Sequence, residues 1–237
     1  MSAHDTSKHP EGTLIGHTEA GSDGSLPFDY LTLADFDQAK AGYKADYALS
    51  FHHTSQTRII EAFLRLIEVQ GVPFDKLSIA AVLKESGVAR STFYRHFTDK
   101  YDLSVKAFYY RAADKNLAGL TAADVLDAED CHHLILAYCC EVQRQKNYLR
   151  RIDISAGTVF SFWGKQYLNA FFSFSDALAQ RMGLKELPAP YQARLVQFLG
   201  GSFSLMGIWL DRNDCHTAPE IIAGAIAEAI PAFVSEL

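Results

Sequence analysis

An all-α fold is predicted for this chain, made of a small amino-terminal helical module and a larger helical body. Three observations predict it. Apolar residues recur at helical spacing through most of the sequence after residue 54. No stretch shows the strict apolar–polar alternation of a half-buried strand. Gly and Pro fall between the periodic runs, at Gly71, Pro73, Gly87, Pro188, Pro190 and Pro219, where helices stop and start. With 49% hydrophobic residues among 237, the chain has ample material for a buried core.

The elements follow in order. Residues 1–33 read as a disordered tail, because the run 1–25 is Ser, Gly, His, Thr and acids with almost no large apolar group to offset the entropy of ordering. Residues 34–54 can form an extra amphipathic helix with Phe36, Tyr43 and Tyr47 near one face. From about 55 to 70, Ile59, Ile60, Phe63, Leu64 and Ile67 mark a helix that Gly71 stops and Pro73 keeps stopped. Ser78 can cap the next helix, whose Ile79, Val82 and Leu83 face inward. Gly87 makes a turn that favours a left-handed backbone, and residues 90–96 form a second short helix. Thr98 or Asp99 caps a further helix from Lys100 past Phe108. Beyond residue 116, helices are expected over about 121–128, 131–147, 155–182, 190–213 and 219–235, with Pro219 suited to the first turn of the last.

The stretch 78–97 carries most of the functional information. It reads as helix, tight turn and helix, and the second helix offers a row of polar donors: Arg90, Ser91, Thr92, Tyr94, Arg95 and His96. Val88, Phe93 and Phe97 supply its anchors. A short helix held down by a few hydrophobes and presenting donors outward is what reading the major groove of DNA requires. Net charge agrees once it is divided. Residues 55–110 stand at +2, whereas 1–54 stand at −5 and 111–237 at −3, within a total of −6. Charges are screened within about 8–10 Å in physiological salt, so an acidic body does not exclude attraction of phosphates to a locally basic module.

The run from Ser78 to Lys100 resembles the DNA-binding domain of TetR/AcrR-type bacterial transcriptional regulators. The residues that carry the likeness are Gly87-Val88 at the turn, Thr-Phe-Tyr-Arg-His-Phe at 92–97 and Asp-Lys-Tyr-Asp-Leu at 99–103, with the amphipathic helix at 55–70 before them. The likeness covers about residues 55–115; beyond 116 only the all-helical layout agrees. It implies a helix-turn-helix domain over 55–115 and a ligand-binding and dimerisation domain over 116–237. By the same resemblance, Arg90, Ser91, Thr92 and Tyr94 would lie at base edges and flanking phosphates, Arg95 and His96 near the backbone, and Ser78 and Lys100 on phosphates. Three positions depart from the pattern: Ala89 stands where Ser often caps the recognition helix, Leu83 where Ala is frequent, and Ala80 where some members place a longer polar base reader.

Two further clusters stand out in the body. Phe160, Phe162, Trp163, Tyr167, Phe171, Phe172 and Phe174 crowd together, interrupted by Gly157 and Gly164. They suit either a wide helix core or a pocket for a small apolar or aromatic effector, and Phe160, Trp163, Tyr167 and Phe171 are the candidate lining. The last two helices mix small residues with large hydrophobes, and the resemblance implies a four-helix interface between two copies; Gly200, Gly201, Phe203, Ile222 and Ile226 are its candidate residues. A two-fold homodimer also answers a physical need, since one short helix reads too few base pairs and a dimer reads both halves of a palindrome.

Other function classes are weakened. No nucleophile–base constellation, glycine-rich phosphate loop or HExxH sequence is present, so the chain is expected not to be an enzyme and to need no cofactor. Cys131, His132, His133, Cys139 and Cys140 give at most two aligned ligands on one helix face, short of the four a structural zinc takes, so no metal is expected. Cys spacing fits a reduced cytoplasm, and no apolar run approaches a membrane span. The reading is a ligand-responsive repressor acting on a palindromic operator. The alternative is a helical adaptor or co-activator of the same fold that acts through a protein partner.

Overall fold

The computed structural model describes residues 54–112, 117, 122–127, 131–152, 161–231 and 234. The tail at 1–33 and all but the last residue of the extra helix at 34–54 lie outside these residues. Among the described residues every regular element is a helix and no strand is present.

Helix α1 spans Thr54–Leu64 and buries Ile59, Ile60 and Phe63. It continues as a π-helical turn, Arg65–Val69, before Gly71 takes a φ of +66° and ends it. The expected helix at 55–70 therefore changes hydrogen-bond register in its last turn, with the Gln70 N–H donating to the Arg65 carbonyl at 2.9 Å. Helix α2 spans Ile79–Ser86, α3 spans Arg90–His96 and α4 spans Lys100–Arg111. α1 packs against all three, so the small module is built around its apolar face.

The body holds α5 (Ala122–Asp127), α6 (Cys131–Arg144), α7 (Lys146–Leu149), α8 (Phe162–Arg181), α9 (Ala189–Asp211) and α10 (Pro219–Glu228). The expected helix at 131–147 is broken at Gln145, whose buried amide donates to the Phe108 carbonyl at 2.8 Å. That contact reaches α4 and takes precedence over local helix continuity. The expected helix at 219–235 ends at Glu228, because Pro231 has no N–H to extend it. α10 lies along α6, and α8 packs on both α9 and α4.

One buried cluster runs from the module into the body. It joins Phe63, Phe93, Phe97 and Phe108 to Tyr148, Phe162 and Trp209. A second cluster centres on Tyr167, Phe171, Phe172, Leu178 and Leu199. Polar contacts also cross between the two parts. The buried Tyr148 hydroxyl donates to the Ser104 carbonyl at 2.8 Å, and Lys165 on α8 pairs with Asp99 at 3.0 Å. Asp99 caps α4, so α8 is tied directly to the helix that follows α3.

Candidate nucleic-acid interface

Ser78 has an extended backbone and its side chain accepts the Ala81 N–H at 3.1 Å, which fixes the start of α2. α2 ends at Gly87, whose φ of +65° and ψ of +26° are left-handed. Glycine is required there on two grounds. A side chain resists that backbone, and a Cβ would meet the Arg58 guanidinium at 3.2 Å. The same guanidinium donates to the Ser86 carbonyl at 2.7 Å and braces the turn from α1. Ser86 adds a local bond, accepting the Val88 N–H at 3.3 Å.

α3 follows without a side-chain cap at Ala89, as its sequence indicated. It is held instead by its aromatic face. Phe93 and Phe97 are 0% and 1% exposed, and their rings lie 5.3 Å apart. Arg90, Ser91, Tyr94 and Arg95 are exposed on the opposite side, while Thr92 and His96 are half-buried. Arg90 does not wave freely. Its guanidinium lies over the Tyr94 ring at 5.6 Å from the centroid and donates to the Tyr94 hydroxyl at 3.4 Å. This stack, between residues four apart on one helix face, pre-orders a long side chain that would otherwise lose rotamer entropy on binding. His96 turns toward α1, with its Nε2 at 3.1 Å from the Ser55 hydroxyl.

The end of α3 is tied down by charge. Lys106 on α4 donates to the His96 carbonyl at 2.6 Å and to Asp102 at 3.1 Å. Asp102 in turn accepts the Thr98 N–H at 2.8 Å. Arg58 and Lys106 were not singled out in the sequence, and Asp102 entered only as part of the run at 99–103, although Asp102 and Lys106 stand four apart, the spacing of a helical ion pair.

Lys100, expected on a phosphate, is engaged by the module's own backbone. Its ammonium donates to the Phe74 and Asp75 carbonyls at 2.9 and 3.2 Å and sits over the Phe74 ring at 4.8 Å from the centroid. Two of its three donors thus hold the loop between α1 and α2. Lys100→Met is expected to lower the stability to urea by about 1–2 kcal/mol, since charge-assisted bonds and a ring contact are lost together. An unchanged unfolding midpoint would remove this structural role.

Residues 59–107 match the model of the bacterial regulatory proteins of the tetR family. This segment is similar to the amino-terminal module of that family. The matched range covers all of α2 and α3 and most of α1 and α4, the elements that position the donor face. No curated protein matches the chain.

The aromatic candidates of the body are mostly interior. Phe160 lies outside the described residues. Trp163, Tyr167 and Phe171 on α8 are 3%, 8% and 8% exposed. Tyr167 stacks on Phe171 at 6.4 Å, and both Trp163 and Tyr167 abut Phe203 from α9. Beside them runs a polar chain. The Tyr109 hydroxyl donates to Gln166, whose amide donates to the Tyr138 hydroxyl at 3.2 Å. Burial pushes the Tyr109 and Tyr167 phenols up to about 12 and raises Tyr138 well above the usual phenol range, so all three are neutral near pH 7. No cluster of three or more metal-ligating side chains occurs among the described residues. Cys139 is buried, and burial lifts its thiol to about 12.

The small-residue face of α9 and α10 is only partly where the sequence reading put it. Ile222 and Ile226 are 7% and 4% exposed, buried within their own chain where α10 packs along α6. Phe203 is likewise turned inward, onto Trp163. Exposed on these two helices are, among others, Gly201, Ile208, Ile221 and Ala225, with Ile208 56% and Ile221 63% exposed. Gly200 is half-buried. A groove of about 460 Å³ runs between the two helices, lined by Gln197, Gly201, Leu205, Ala225 and Ala229 among others. No helix is long and apolar enough to cross a membrane among the described residues.

Proposed function

We propose that this chain is a sequence-specific DNA-binding transcriptional regulator that acts in the cytoplasm as a homodimer on a palindromic operator, as a repressor released by a small effector. The observation that carries the reading is the outward face of α3. Arg90, Ser91, Tyr94 and Arg95 are exposed on a helix anchored by Phe93 and Phe97, within the one net-positive segment of the chain. Arginine pairs bidentately with guanine O6 and N7, and Arg90 is already extended along Tyr94. Ser78, Thr92, His96 and the remaining donor of Lys100 would meet the phosphates.

Selection of binding sites from random duplexes, followed by titration at two salt concentrations, tests this reading. Arg90→Ala is expected to weaken the selected operator by about 1–3 kcal/mol and relax specificity at one base pair in each half-site. It should leave the unfolding midpoint unchanged, because the side chain is exposed. Equal operator affinity for variant and wild type would sink the assignment. Failure of the wild type to select any sequence, with no salt-dependent duplex binding, would favour the adaptor reading.

The dimer is supported by the large hydrophobes Ile208 and Ile221 left exposed on the last two helices, together with the exposed small residues Gly201 and Ala225 of the same helices. Ile221→Asp is expected to give a folded monomer in sedimentation at micromolar concentration, since its side chain is not part of the protomer core. Ile222→Asp should unfold the protomer instead, because it buries an unpaired charge. A wild type that sediments as a monomer would overturn the assignment.

A further inference from the structure

The outward face of α3 is cationic, and an acidic stretch of the same chain is tethered beside it. α3 carries Arg90 and Arg95 and no acidic residue, and both arginines are exposed. Tyr94 between them is 45% exposed. Arg58 on α1 and Lys84 on α2 are exposed as well. Residues 19–37 have the opposite character. Glu19, Asp23, Asp29, Asp35 and Asp37 are acidic, and no Lys or Arg falls among them. Phe28, Tyr30 and Phe36 flank those acids. A run of acids without a cation thus precedes the one net-positive segment of the chain.

The point of attachment brings the two together. Residues 1–53 lie outside the described residues, and the chain enters these at Thr54, the first residue of α1. The hydroxyl of Ser55, the next residue, is 3.1 Å from Nε2 of His96, the last residue of α3. The chain therefore arrives beside the carboxyl end of α3. That helix has seven residues and is about 10 Å long. The connection over residues 38–53 can reach about 50 Å when extended, so every residue of α3 is within range of Asp37. A short tether of this kind sets an effective concentration on the order of millimolar for the acids it carries.

We propose that residues 19–37 dock on the exposed face of α3 as an internal phosphate mimic, with carboxylates on Arg90 and Arg95, and that duplex DNA must displace them. The competition rests on the reading of α3 as the DNA-contacting helix; the docking itself does not. Carboxylate and phosphate both offer paired oxygens to a guanidinium fork, so one arginine can serve either. Each exposed pair is weak and screened by salt, which keeps the segment displaceable. Docking lowers the affinity for every duplex by one factor, so weak random sites empty while a tight operator stays filled.

The test compares the full chain with the same chain carrying Asp29→Asn, Asp35→Asn and Asp37→Asn. Arginine modification by phenylglyoxal, read by mass spectrometry, reports docking without DNA. At low salt Arg90 and Arg95 are expected to react about three- to tenfold more slowly in the wild type, and the gap should close near about 0.5 M salt. Arg212, exposed at the end of α9, should react alike in both. The protection should not depend on protein concentration. Random duplex should bind the variant more tightly by the same factor at low salt, since the competing state is removed. Neutralising the exposed body acids Asp176 and Asp211 instead should give less than about half that gain per charge. Equal reaction of Arg90 and Arg95 in the two proteins would overturn the docking. Protection lost on dilution would assign the segment to a second copy and overturn the internal contact. An equal gain per charge from the body acids would overturn the competition. Protection without duplex binding by either protein would uphold the docking and overturn the DNA-binding reading.

Discussion

Asp102→Ala is expected to destabilise the amino-terminal module by about 3–5 kcal/mol, the cost of breaking a buried ion pair from one side. Asp102 is 1% exposed. Its carboxylate accepts the Thr98 N–H at 2.8 Å and the Lys106 ammonium at 3.1 Å. Lys106 is itself nearly buried; it also donates to the His96 carbonyl at the end of α3 and lies over the Phe97 ring. Removal of the carboxylate takes the counter-charge from that desolvated ammonium, and it also frees the peptide that joins α3 to α4. The damage should be local and, on the proposed reading, functional as well, because the groups released are those that fix the carboxyl end of α3. Urea unfolding gives the magnitude, and amide exchange at residues 93–99 gives the location. Asp102→Asn should cost less, since an amide oxygen can still accept from Thr98 while the charge balance is lost. A loss below about 1 kcal/mol in Asp102→Ala would show that Lys106 finds water instead.

Much of this module was legible in its residues. The Ser78 cap, the left-handed Gly87 and the absent cap at Ala89 each follow from one residue's chemistry, and each stands as expected. The contacts that hold α3 in place were not legible, because they join residues far apart in sequence. Arg58 reaches Ser86, and Lys106 reaches back to His96. The π-helical turn at Arg65–Val69 also escaped, since a one-residue slip in hydrogen bonding hardly alters the apolar spacing that reveals a helix. The break at Gln145 depends on a carbonyl of α4 and has no local signal. The end of α10 is a different case: Pro231 was visible and argues against a helix running to 235.

The dimer candidates show where periodicity fails. α10 reads Pro-Glu-Ile-Ile-Ala-Gly-Ala-Ile-Ala-Glu and is apolar almost all round. Adjacent Ile221 and Ile222 are equivalent in sequence, and only packing on α6 decides that Ile222 turns in and Ile221 turns out. In α3, by contrast, the polar and aromatic faces differ sharply, so the residues themselves assign the two sides.

That asymmetry makes Phe93 the decisive anchor of the interface. Phe93→Ala is expected to cost about 3–5 kcal/mol, the usual range for emptying a buried ring site. α3 has seven residues, far short of the length at which an isolated helix is stable in water, and it has no side-chain cap. Its structure is therefore owed to tertiary packing, and Phe93 is its fully buried ring, in contact with Phe97 and 0% exposed. Loss of that ring should release the helix before the rest of the chain unfolds, so operator binding should fall by more than the change in base contacts alone allows. Comparison with Arg90→Ala separates the two ways of losing DNA affinity. Arg90→Ala should reduce affinity at constant stability, whereas Phe93→Ala should reduce both, with amide protection lost first across 90–96. Phe93→Leu, which keeps most of the volume, should recover much of each. Wild-type stability in Phe93→Ala would mean that Phe97 and the Lys106 tether hold the helix without it, and the account of α3 as a helix pinned by one ring would fail.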